Sequence, residues 1–100
     1  MILEKEFTLS EEEIDYTQFC YFEMDSYQYI LGHILLEKTK GYEYSKENYK
    51  HFMEEFKLAK FKYFINMQEL LKKYCPEYLS STVHEIEFNF DKHIMSIYHK

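Results

Sequence analysis

One hundred residues bound this chain to one domain. Twelve lysines against eighteen carboxylates, with no arginine, leave a formal charge of -6. That balance excludes a free-standing nucleic-acid binder, and an apolar content of 46% excludes a disordered chain.

In chain order, Leu3, Phe7 and Leu9 alternate with polar residues, which predicts a strand over residues 1–9. Ser10-Glu11-Glu12-Glu13 reads as a capping box, Ser10 and Glu13 each satisfying the other's backbone N–H. A helix is expected from there to residue 40, with Lys38 and Lys40 in its last turn and Gly41 just beyond. At 100° per residue, Tyr16, Phe19, Cys20, Tyr27, Ile30, Leu31, Ile34 and Leu35 share one face, and Phe22, Tyr29 and Leu36 form a narrower stripe roughly opposite.

Ser45 reads as the cap of a second helix over residues 45–75, Tyr44 and Tyr49 as its hydrophobic staple, and Pro76 as its stop. Phe52, Phe56, Ala59, Tyr63, Met67, Leu70 and Tyr74 form the main stripe, with Tyr49, Met53, Phe64 and Leu71 beside it. Leu58, Phe61 and Ile65 mark the back. Two helices of equal length joined by a short link predict an antiparallel hairpin. Charge agrees: residues 1–40 carry -6 and residues 41–75 carry +2.

Residues 84–99 alternate as a β-hairpin around Asp91-Lys92. Pairing Phe90 with His93 puts Ile86, Phe88, Phe90, Met95 and Ile97 on one face. The expected fold is therefore α+β: a long antiparallel two-helix hairpin plus a small antiparallel sheet.

Most chemistries find no support. Two isolated glycines build no phosphate cradle, and no serine sits in a nucleophile elbow. Cys20 reads as a small buried hydrophobe. A hairpin centred near residue 43 puts Cys20 opposite about residue 65 and Cys75 roughly 15 Å further along, beyond the reach of an intrachain disulfide. No Glu-x-x-His occurs on either helix, so a di-iron bundle is not expected. His84 and His99 become cross-strand neighbours, but the sequence shows no assured third ligand and zinc needs three or four. No catalytic, cofactor or metal residue is assigned, and an enzyme is not expected. The competing class is a small enzyme or metalloprotein using Glu23 with Tyr16 and Tyr27, or those two histidines.

Glu23 falls in the middle of the apolar stripe of the first helix. Desolvation there raises a carboxyl pKa unless a donor meets it, and tyrosine hydroxyls, Lys60 or Lys62 are the candidates. The back stripes are left over once the main stripes pair, so Phe22, Tyr29, Leu36, Leu58, Phe61 and Ile65 are expected to form an interface. Its partner is another protein or a second copy, with no direct nucleic acid and no membrane. An alternative is a phage-type inhibitor or immunity protein, in which Glu11, Glu12, Asp15 and Asp25 steer the first helix toward a basic nucleic-acid-binding surface.

The segment Phe22 to Leu35, followed by Tyr49 to Lys60, Tyr74-Cys-Pro-Glu-Tyr78 and Ile86-Glu-Phe-Asn-Phe-Asp91, resembles small accessory proteins of CXXX-repeat peptide modification systems from low-GC bacteria. That resemblance implies a non-enzymatic helper of a peptide maturase and transfers no catalytic residue. An AT-rich coding bias, visible as 11 Tyr, 9 Phe and a single alanine, points to a low-GC bacterium or its phage. Met1 to Glu6 lack a basic region followed by an apolar one, and no apolar run reaches about 18 residues, so a cytoplasmic protein is expected.

Overall fold

The computed structural model describes residues 2–39, 46–79 and 84–99. Its elements are strand β1 (Ile2–Thr8), helix α1 (Glu11–Thr39), helix α2 (Lys46–Tyr74), a 3₁₀ turn (Pro76–Tyr78), and strands β2 (His84–Asn89) and β3 (Ile94–His99). This is the expected α+β architecture, a helical hairpin with a three-stranded antiparallel sheet in the order β1-β3-β2. Gly41, Tyr44 and Ser45 lie outside the described residues. The chain divides into two compact units: residues 1–18 with 66–100, here the sheet unit, and residues 19–65, the hairpin unit.

In the sheet unit, α1 begins as its sequence dictates. The Glu13 N–H donates to Ser10 Oγ (3.2 Å) and the Ser10 N–H donates to Glu13 Oε1 (2.9 Å). The β2–β3 register is the one the alternation predicts, with His84 opposite His99, Ile86 opposite Ile97 and Phe88 opposite Met95. The connection differs from a two-residue turn. Residues 90–93 form the loop, and His93 is left-handed (φ 58°), a conformation histidine tolerates better than most residues. The Asn89 side chain accepts from the Lys92 N–H at 3.0 Å, and the His93 carbonyl accepts from the Leu9 N–H at 2.7 Å.

Strand β1 departs from simple alternation. Leu3 pairs with Tyr98 while Lys5 pairs with Ile97, so Glu4 is an inserted residue in a β-bulge. A one-residue insertion flips every side chain beyond it. Leu3, expected on the apolar side with Phe7 and Leu9, is accordingly exposed, while Phe7 and Leu9 pack inward. The core sits between this sheet and the first turns of α1 and the last turns of α2. Leu9, Ile14, Leu70 and Met95 form one cluster, and Leu71, Cys75 and Ile97 the other, with Phe7 and Ile86 touching both.

A buried polar link ties α1 to α2 here. Asn66 Nδ2 donates to Thr17 Oγ1 (2.8 Å), and that hydroxyl donates to the Glu13 carbonyl (2.8 Å). Periodicity put Tyr16 on this face, yet Tyr16 is exposed and Thr17 is fully buried. The inward line of α1 runs through Ile14 and Thr17, about one residue round from the expected stripe.

Candidate functional site

The hairpin unit contains most of the residues singled out for binding; Glu11, Glu12 and Asp15 fall in the sheet unit. As residue numbers rise on α1 they fall on α2: Tyr21 meets Tyr63 (5.9 Å between ring centroids), Glu23 meets Lys62, and Tyr27 meets Phe52 (6.5 Å). This is the antiparallel pairing that the equal helix lengths imply. Cys20, Leu31 and Ala59 are buried along the seam, and burial pushes the Tyr63 hydroxyl up to about 12.

Large apolar side chains are exposed on this unit among charged ones. Phe22, Tyr29, Leu36, Leu58, Phe61 and Ile65, the residues of the two back stripes, are all exposed. So are Phe19, Leu35 and Phe64, which periodicity placed on or beside the paired faces. Two helices cover one another along a single line, and an aromatic just off that line stays at the rim. Leu58 and Phe61 expose 63% and 62% of their surface.

Beside the seam lies an open groove of about 760 Å³, lined by Phe19, Phe22, Glu23, Tyr27, Phe52 and Lys62 among others. Glu23 is neither buried nor alone. Lys62 Nζ donates to its Oε2 at 3.3 Å, and the same ammonium lies 4.6 Å from the centroid of the Phe19 ring. Of the donors expected for Glu23, Lys62 is the one that meets it. The pair is part-exposed and gives the groove one polar edge in an apolar wall.

Charge is divided unequally. Residues 19–65 hold seven carboxylates and seven lysines and are formally neutral, so the whole -6 belongs to the sheet unit. Glu11, Glu12 and Asp15 are exposed on the part of α1 in the sheet unit, and Asp25 is exposed in the hairpin unit. Glu13, in the same acidic run as Glu11 and Glu12, is structural instead. Partial burial raises its pKa, but hydrogen bonds from Tyr74 (2.6 Å), the Ser10 N–H and Lys73 (3.0 Å) outweigh it and hold the carboxyl at about 2.

Both thiols are free and buried. Burial pushes the Cys75 thiol up to about 11, with the neighbouring Glu77 carboxylate adding to it, which is the reverse of what a nucleophilic cysteine needs.

The sheet unit carries a second cluster. Glu4, His84 and His99 bring their ligand atoms within 4.8 Å of one another. The sequence leads to the histidine pair but not to Glu4, because simple alternation puts Glu4 on the face opposite Phe7. Only the bulge brings it round, and no local signal announces the bulge.

No family model matches the chain, and neither a curated protein nor a solved structure matches it. Among the described residues, no helix is long and apolar enough to cross a membrane.

Proposed function

We propose that this chain is a non-catalytic protein-binding protein, an accessory or adaptor of a bacterial or phage system working in the cytoplasm. Its hairpin unit is the docking surface, and the partner offers an apolar amphipathic helix to the groove beside the Tyr21–Tyr63 seam. The observation that carries this reading is a contrast within the hairpin unit: nine large apolar side chains are exposed among its described residues, on a unit whose formal charge is zero. Exposed apolar area of this kind marks an interface. Its neutrality argues for an apolar partner surface over a strongly charged one. A third helix laid along the groove gives the two-helix unit a second layer, as helix-in-groove recognition does elsewhere. The accessory role implied by the resemblance of Phe22–Leu35 agrees with this mode.

The charge division favours one second reading. The acidic sheet unit, with Glu11, Glu12 and Asp15 exposed, is suited to a basic surface, as in an inhibitor of a nucleic-acid-binding protein. Association through that end weakens with salt, whereas docking through the hairpin groove does not.

The test uses the full chain carrying a photo-crosslinking residue at position 26, which lines the groove, expressed in its own cell, with and without Phe19→Gln plus Phe22→Gln. Docking through the hairpin predicts a defined adduct that the double substitution abolishes while the melting temperature of the isolated chain is unchanged. A large fall in melting temperature would show that these side chains are core and overturn the reading. An adduct of twice the chain's own mass would identify the partner as a second copy.

A further inference from the structure

Three strands end at one point of the sheet unit. His84 opens β2, His99 closes β3 directly opposite it, and Glu4 bulges out of β1. Glu4 Oε2 lies 3.0 Å from His84 Nε2, and Glu4 Oε1 lies 3.5 Å from His99 Nδ1. From this geometry we infer that Glu4, His84 and His99 form a binding site for one divalent transition-metal ion of the zinc class, independent of the docking surface above.

The donor set suits that ion. Two imidazoles and one carboxylate, with no thiolate, match zinc, cobalt or nickel better than calcium or magnesium, which prefer oxygen alone. A tetrahedral ion bound at about 2.0–2.1 Å holds its ligand atoms about 3.3 Å apart. Each Glu4–histidine contact is near that value, 3.0 Å from Oε2 to His84 and 3.5 Å from Oε1 to His99, but the two use different carboxylate oxygens; with one ligand atom from each residue, the three lie within 4.8 Å of one another. The adjustments left are a turn of the Glu4 carboxylate and an approach of the histidines, whose ring centroids are 5.8 Å apart. His99 is the member able to move, since its side chain is 48% exposed against 13% for His84.

A hydrogen-bonded cluster accounts for the Glu4–His84 contact but leaves His99 aimed at the carboxylate from the outer limit of hydrogen bonding. An ion between them satisfies all three groups. Binding takes each imidazole in its neutral form and releases any proton shared with the carboxylate to solvent.

The surroundings hold the ligands as second partners do in metal sites. Tyr78 donates its hydroxyl to Glu4 Oε2 at 2.9 Å and lies against the His84 ring, with centroids 4.2 Å apart. Lys5, next to Glu4, lies 5.7 Å from the centroid of the Tyr78 ring, and its ion pair with Glu77 at 2.8 Å offsets its charge. Three protein ligands leave a fourth position for water.

The test titrates Zn²⁺ and Co²⁺ into the full chain, freed of metal and without a histidine tag. One Zn²⁺ per chain is expected. Co²⁺ should give the visible absorption of a tetrahedral or five-coordinate ion, and in NMR spectra Zn²⁺ should shift the ring resonances of His84 and His99 but not those of His33 or His51. His84→Ala and Glu4→Gln should each weaken binding at least about tenfold, and Tyr78→Phe about tenfold. His51→Ala should leave it unchanged. The inference is overturned if the unsubstituted chain binds Zn²⁺ no more tightly than about millimolar. It is equally overturned if the shifted resonances belong to other histidines, or if the His84→Ala, His99→Ala double variant binds as before.

Discussion

The two units are built from the same two helices and use them differently. Where the helices lie on the sheet, their inward residues meet a second layer: Ile14, Leu70 and Leu71 are buried with Met95 and Ile97. Further along the same helices, among the described residues, full burial is confined to Cys20, Leu31 and Ala59, and large side chains such as Tyr29, Leu58 and Phe61 stand in solvent. A helix pair with a sheet beneath it can bury two stripes, whereas a helix pair alone buries one. The contrast teaches that the buried core and much of the exposed apolar surface are separated along this chain. The sheet unit carries the core and all of the net charge, and the hairpin unit carries the apolar surface and none of it.

Substitutions test that separation, and the largest effect belongs to the sheet unit. Ile97→Ala, at a fully buried position, should lower unfolding free energy by about 2–5 kcal/mol in urea titration. Leu58→Ala in the hairpin unit should stay within about 0.5 kcal/mol. Equal losses at the two sites would break the comparison. Next comes the buried polar link. Thr17→Val removes the acceptor for the Asn66 amide and should cost about 1–3 kcal/mol, because a buried donor is left unsatisfied.

A third effect depends on pH. The Glu13 carboxyl is held at about 2, below its unfolded value near 4.5, so the folded state is favoured once pH exceeds the unfolded pKa. That stability fades as pH falls from about 4.5 toward 2. Glu4 and Glu77 are lowered as well and add in the same direction, Glu4 chiefly through the Tyr78 hydroxyl and Glu77 chiefly through the Lys5 ammonium. Glu13→Gln should therefore flatten acid unfolding, followed by circular dichroism, while Glu54→Gln in the hairpin unit should leave the curve unchanged. The smallest effect is expected at Glu23. Its pair with Lys62 is part-exposed, so Glu23→Gln should cost about 0–1 kcal/mol, less still at high salt. A large loss there would make Glu23 a structural keystone and blur the difference between the units.

Much of this was legible in the sequence, and the exceptions have physical causes. The capping box at Ser10 and Glu13 is a local device, so its residues announce it. The β2–β3 register is equally readable, because the side-chain period of two ties Ile86 to Ile97 and Phe88 to Met95 once one apolar face is chosen. The back stripes were legible as a surplus of apolar residues over partners. Helix rotation is less legible. Tyr16 and Phe19 share a face with Cys20 in a periodicity count, but a seam admits a narrow line of side chains, and large rings at its edge remain outside. The burial of Thr17 is not legible locally, because a lone threonine carries no apolar signal and its partner, Asn66, is on the other helix.

By itself, then, the sequence determined what depends on neighbours a few residues away: helix starts, strand alternation, the hairpin register and the amount of apolar surface. The tertiary structure decided what depends on distant parts meeting. It selected Lys62 for Glu23, brought Lys73 and Tyr74 to Glu13, and through one bulge turned Glu4 toward His84 and His99. Those choices follow from packing geometry over more than thirty positions of separation, as in the 39 residues between Glu23 and Lys62, a range on which local periodicity is silent.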